Sequence, residues 1–132
     1  MKLGSHTGSM TNHIYSRATK GQPDPVVGMG CTILCWTDRH GGTIIEVDRA
    51  HKFLTAWVRQ DKATRTDRNG FSEDQTWTFE TDPNGRLSRF QFRNNRWIEV
   101  EMNEKTGRWN MIEGGGHGLR IGEREEYYDP CF

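Results

Sequence analysis

Along most of the chain, apolar residues recur at every second position in short runs, and no stretch carries the 3.6-residue period of an amphipathic helix. The pattern centres on Gly28 to Val47, GMGCTILCWTDRHGGTIIEV. It reads as two apolar strands, Cys31 to Thr37 and Thr43 to Val47, joined at a charged turn, Asp38-Arg39-His40-Gly41-Gly42, whose glycines supply positive φ cheaply. In the first strand Cys31, Ile33 and Cys35 point one way and Thr32, Leu34 and Trp36 the other. Both sets are mainly apolar, which predicts a central strand covered on both faces. A third strand, Phe53 to Gln60, sets Phe53, Thr55 and Trp57 against Leu54, Ala56 and Val58.

Beyond it, Asp61 to Gln75 is almost wholly polar and reads as an exposed connection or a binding loop. Alternation resumes in Thr76 to Glu80, turns at Asp82-Pro83-Asn84-Gly85, and continues through Leu87 to Arg93. Asn94-Asn95 turns into Arg96 to Met102, with Ile98, Val100 and Met102 facing the core and Trp97 facing outward. Glu104 to Gly107 turns into Arg108 to Ile112, a glycine run from Gly114 to Gly118 interrupts, and Leu119 to Ile121 is a last short strand. The tail then brings Tyr127, Tyr128 and Phe132 back to plug one end, its carboxylates pairing with arginines. The expected fold is all-β: a small antiparallel meander of about seven to eight strands, closing into a partly open, SH3-like barrel or roll. Residues 1–26 read as a vector-derived leader, Met1 to Ser9, and a mobile N-terminal arm, and residues 27–132 as a single β-barrel-like domain.

Composition changes this picture only at its edges. Only 33% of the 132 residues are hydrophobic, but five Trp and six Phe promise a modest, aromatic-rich core. Eighteen basic residues balance eighteen acidic ones, so no overall attraction to nucleic acid or anionic membrane is expected. No apolar run approaches the roughly 20 residues that span a bilayer, and no signal peptide is read, so the expected location is cytoplasmic, without a membrane partner. Cys31 and Cys35 would lie about 13 Å apart along one strand, beyond disulfide reach, and read with Cys131 as reduced thiols.

Asp38, Arg39 and His40 put an acid, a fixed cation and an imidazole on one turn, a set that orients a ligand or works as acid and base. The competing reading is structural, with Arg39 paired to Glu125 or Glu126. The histidines His40, His51 and His117 have no metal-ligand spacing, and no metal or cofactor is expected. Cys31 and Cys35 read as inert thiols of a core strand. Arg86, Arg89, Arg93 and Arg96 crowd one hairpin beside Trp97, as in binders of single-stranded nucleic acid. Trp97 and Trp109 are also candidate contacts of a homo-oligomer.

Three segments carry a resemblance: Val27-Gly28-Met29-Gly30 leading to Thr37-Asp38-Arg39-His40; Asp67-Arg68-Asn69-Gly70-Phe71-Ser72-Glu73; and Ile121 to Asp129 with its Arg124-Glu125-Glu126-Tyr127-Tyr128 core. Together they resemble a family of small uncharacterised proteins encoded in phages, prophages and other mobile elements. The resemblance implies an accessory gene product whose three segments converge in space. The resulting expectation is a non-catalytic binding module that engages a protein partner or a small anionic ligand through Asp38, Arg39, His40, Arg65, Arg68, Glu125 and Tyr127. Two alternatives stand beside it. One is binding of single-stranded nucleic acid on a continuous face of Arg89, Arg93 and Trp97. The other is a small hydrolase using His40 with a carboxylate, Asp38 or Glu125. An Arg39 buried against Glu125 would mark a structural motif, and an open cleft with His40 facing a carboxylate would mark an enzyme.

Overall fold

A computed structural model describes residues 2–8, 23–70, 72, 74–112 and 116–129. Alternating stretches become strands, giving β1 (Lys2–Gly8), β2 (Gly30–Leu34), β3 (Arg39–Asp48), β4 (Thr55–Gln60), β5 (Lys62–Arg65), β6 (Gln75–Glu80), β7 (Leu87–Arg93), β8 (Arg96–Met102), β9 (Trp109–Met111) and β10 (Gly118–Ile121). Seven of them form one antiparallel sheet in the order β10-β2-β3-β4-β7-β8-β9, and β1-β6-β5 form a second. The described residues contain no helix, and the larger sheet curls without closing, a partly open all-β roll. β9 pairs only with Val100 to Met102, and β10 lies beside the half of β8 that β9 leaves uncovered. Where the chain turns from β7 to β8, Asn94 and Asn95 both adopt positive φ, 53° and 62°, as a two-residue hairpin loop requires.

The concave face of the roll holds the core: Cys31 and Ile33 of β2, Ile44 of β3, Ala56 and Val58 of β4, Phe90 of β7, Trp97 of β8, and Leu119 and Ile121 of β10. Removing each large side chain from water contributes about 1.5–3 kcal/mol, so this cluster is the main source of stability. β2 is covered on both faces as expected, for Thr32 on its other side is also fully buried. On the convex face the Arg89 guanidinium lies 3.7 Å from the Trp109 ring centre and 5.2 Å from that of Trp57, two indoles in edge contact.

Four expectations are corrected here. The charged turn is not a turn. Cys35 N–H donates to the Asp38 carbonyl at 3.0 Å, the chain bends at Trp36-Thr37, and β3 already begins at Arg39. Gly41 and Gly42 are strand residues without positive φ; their lack of a side chain admits neighbours, for a Cβ would lie 2.5 Å from the Phe79 ring at Gly41 and 2.8 Å from Val58 at Gly42. Trp97 faces inward, not outward. Of the two alternating sets of β8, the core takes the one with the indole, which buries more area than any aliphatic side chain, and Ile98 and Val100 are covered on the opposite face.

Within the polar stretch Asp61 to Gln75, Lys62–Arg65 is a strand, because backbone pairing with β6 needs no apolar side chains at a sheet edge. Lys2–Gly8, expected to lie outside the domain, likewise pairs with the other edge of β6. The domain also starts before Val27: Pro25 is fully buried and its carbonyl accepts from Arg49 at 3.1 Å. Ser9 of the expected leader, residues 10–22 of the expected mobile arm, and Phe71, Glu73, Cys131 and Phe132 lie outside the described residues.

Candidate functional site

The site is assembled by the C-terminal tail, which runs beside the start of β3. β4 pairs with β3 only from Gly42 onward, and before that point the backbones of Arg39 and Tyr127 form a two-bond bridge, at 2.9 and 3.0 Å. Each tail residue is then fixed in turn. Arg124 pairs with Asp61 at 3.0 Å and crosses over Gly30, where a Cβ would strike it. Glu125 takes the Arg39 guanidinium on the convex side, with Arg120 at 3.2 Å and its own N–H on Thr32 Oγ1 at 3.0 Å. Glu126 accepts the Gly41 N–H at 3.0 Å and lies 2.7 Å from Nδ1 of His40. The Asp129 N–H donates to Asp38 at 2.7 Å.

Successive residues of β3 face opposite sides, so Arg39 and His40 part company. Arg39 is only 1% exposed, paired with Glu125, its guanidinium 5.3 Å from the centre of the buried Tyr127 ring. Asp38, Arg39, Glu125 and Tyr127 therefore converge, but as a buried structural cluster. His40 instead reaches a cavity of about 270 Å³ at one mouth of the roll, lined also by Cys35, Gln60, Arg86, Ser88 and His117. Both marks set out from the sequence are thus present: Arg39 buried against Glu125, and His40 facing a carboxylate at an open cleft. The carboxylate is Glu126, not Asp38 or Glu125.

Arg65 and Arg68 do not join the cavity. Arg65 braces its own loop by holding both oxygens of Asp67 at 3.0 Å, which with backbone N–H bonds keeps that carboxyl well below the usual carboxylate range, and Arg68 is exposed. The nucleic-acid set is also split: Arg89 is held between indoles, Arg93 lies over Phe53 at 4.2 Å, and Trp97 is on the other face. Trp97 is packed in the core, and Trp109 is half-buried in edge contact with Trp57.

Cys35, Arg86, His117 and, as the carboxylate partner of the last two, Glu99 lie outside the expected set. Cys35 follows the last residue of β2, is half-buried, and lines the cavity diagonally across from His40. It stands at the cavity, one residue past the end of the strand in which it was expected. Cys31 matches the inert core thiol expected of it: burial, and secondarily Asp61, push its thiol far up. Glu99 reaches the concave face opposite Phe90, 3% exposed, and accepts the His117 N–H at 2.9 Å with His117 Nδ1 at 3.3 Å and Arg86 at 3.7 Å. The carboxylates stand behind, and His40, His117 and Arg86 present donors to the hollow. Recognising Trp36-Thr37 as the hairpin loop would have placed Cys35 diagonally across from His40.

The hydrogen bond to Cys35, then that to Glu126, outweigh burial and raise His40 from 6.5 to about 10. A folded pKa above the unfolded one means that the imidazolium stabilises the fold. This contribution is complete below pH 6.5 and is lost as pH rises through about 10. After solvent screening it is worth about 1–2 kcal/mol. Urea midpoints of the native chain should fall across that window, and His40→Gln should flatten the fall; parallel slopes would contradict the assignment.

No protein-family model, no curated protein and no solved structure matches this chain.

Proposed function

We propose that the protein is a binding module for a small anionic ligand, seated at the mouth of the roll. One observation carries the reading: His40, Arg86 and His117 line one concave hollow, and their carboxylate partners Glu126 and Glu99 are buried behind them. The Arg86 side chain is 60% exposed and its ion pair with Glu99 is long, 3.7 Å, so its guanidinium fork keeps donors for a carboxylate or phosphate. The hollow's volume, about 270 Å³, lies below the range of roughly 300–1,000 Å³ for drug-sized ligands, which points to a small metabolite or a single anionic group. The TDRH and REEYYD resemblance supports the setting, an accessory product of a mobile element acting in the cytoplasm. In this reading the Arg39 cluster builds the site without touching the ligand.

Titration of the protein with succinate and with inorganic phosphate, followed by amide NMR shifts, tests it. Shifts should concentrate at Cys35, His40, Ser88 and His117, and Arg86→Ala should weaken binding about tenfold or more, the loss of one charge-assisted contact. Shifts confined to the Arg65 to Arg68 loop, or an unchanged affinity in Arg86→Ala, would sink the proposal.

A further inference from the structure

We propose that Cys35 is a nucleophile, with His40 as its proton partner and Glu126 as the positioning carboxylate, and that the mouth of the roll transfers the acyl group of a small anionic ester to water. The inference rests on the anion-site reading for its choice of substrate. Its own basis is geometric: Cys35 and His40 line one hollow from diagonal positions across β2 and β3, the imidazole Nδ1 lies 2.7 Å from Glu126, and Glu126 accepts the Gly41 N–H at 3.0 Å. With Nδ1 held by Glu126, Nε2 is the nitrogen left for the thiol. Such an arrangement, nucleophile to base to orienting carboxylate, is recognised by geometry and roles rather than by sequence order.

The surroundings fit the chemistry. Cys35 and His117 line the anion hollow and also a second hollow of about 410 Å³ beside it, whose rim carries Trp36, 81% exposed. The sulfur thus stands where two compartments meet. One, with Arg86 and Ser88, takes the anionic acyl portion; the other, with Trp36, takes an apolar leaving group. An exposed indole at the edge of a cleft is an apolar surface that a leaving group covers.

The reacting form is the Cys35 thiolate, with the proton on His40. Sulfur attacks the carbonyl carbon, a C–S bond forms, and the carbonyl electron pair moves to oxygen. When it returns, the C–O bond to the leaving alcohol breaks and His40 donates its proton to that oxygen. His40, now neutral, takes a proton from water as the water oxygen attacks the thioester. The C–S bond then breaks, which releases the acid and returns the sulfur and His40 to the forms from which the cycle started. Ester and water become acid and alcohol, with no change in oxidation state. Four groups face His40 in this cycle, Cys35, Glu126, Arg86 and His117, and the pH dependence belongs to the set.

The p-nitrophenyl monoester of succinate is the probe. The full chain should gain one succinyl group by intact mass, mapped to Cys35, with a burst of nitrophenolate. Cys35→Ser should abolish the adduct, while Cys31→Ser and Cys131→Ser retain it. His40→Gln should slow acylation about 100-fold or more, in the range of general acid–base catalysis. Glu126→Gln should move the pH profile rather than the protein mass, and urea midpoints establish that each variant is folded. An adduct on Cys131 alone, or Cys35 acylation equally fast in His40→Gln, overturns the inference. Succinate binding without acylation also overturns it and leaves the anion site standing; acylation without succinate binding upholds the nucleophile and overturns the anion site.

Discussion

Arg39→Ala is expected to destabilise the protein by about 3 kcal/mol, which lowers the thermal midpoint by about 10 °C in a domain of this size. Removing the guanidinium leaves Glu125, 5% exposed, without its main counter-charge. Breaking a buried pair from one side costs about 3–5 kcal/mol, because the charge left behind is already out of water. The lower end applies, since Arg120 still reaches Glu125 at 3.2 Å. The loss also removes the cation over the Tyr127 ring and so loosens the tail bridge at Arg39. Urea and thermal unfolding measure it. The double variant Arg39→Met with Glu125→Gln should recover part of the loss, because it removes the orphaned charge and keeps the volume. A single-variant cost below about 1 kcal/mol, as for an exposed ion pair, would show that the cluster does not organise the tail.

That cluster was the most legible part of the site. Arg39 and the REEYYD carboxylates are complementary charges in a chain of zero net charge, and the tail ends in aromatics that water would not favour, so their meeting followed from the residues. The overall class was legible for a similar reason: alternation with regular turn signals leaves few alternatives to an antiparallel sheet. What failed was register. Reading the loop at Asp38 to Gly42 placed Asp38, Arg39 and His40 at one tip; the loop at Trp36-Thr37 puts them in a strand, where neighbours face opposite sides. One small shift divides the trio, sending Arg39 to the structural face and His40 to the cavity, and brings Cys35 to His40. Glycine misled, because Gly41 and Gly42 serve close packing rather than φ, and only tertiary contacts distinguish the two uses. Glu99 and His117 were illegible for a different reason, since their meeting depends on how β10 approaches β8 across the open side of the roll.

Gly41→Ala tests the packing that makes this register work, and is expected to cost about 2–3 kcal/mol, at the upper end for overpacked cores. The new methyl would lie 2.5 Å from Phe79 Cε1 and 2.8 Å from Cδ1, with Asp61 Oδ2 at 3.4 Å. Phe79 is 1% exposed and sits on β6 at the join of the two sheets, so its ring cannot swing into solvent without abandoning that packing. The clash should push β6 away from β3, and amide exchange in β5 and β6 should accelerate before that in β2 and β4. The same residue's N–H holds Glu126, so a displaced backbone also slackens the carboxylate on His40, and the raised imidazole pKa should fall toward 6.5. Phe79→Leu made together with Gly41→Ala should restore part of the stability, because a shorter side chain vacates the space the methyl needs, although Phe79→Leu alone is destabilising. If the two changes instead add, the ring is not what excludes a side chain at Gly41, and the glycine would have to be explained by the backbone of β3 itself.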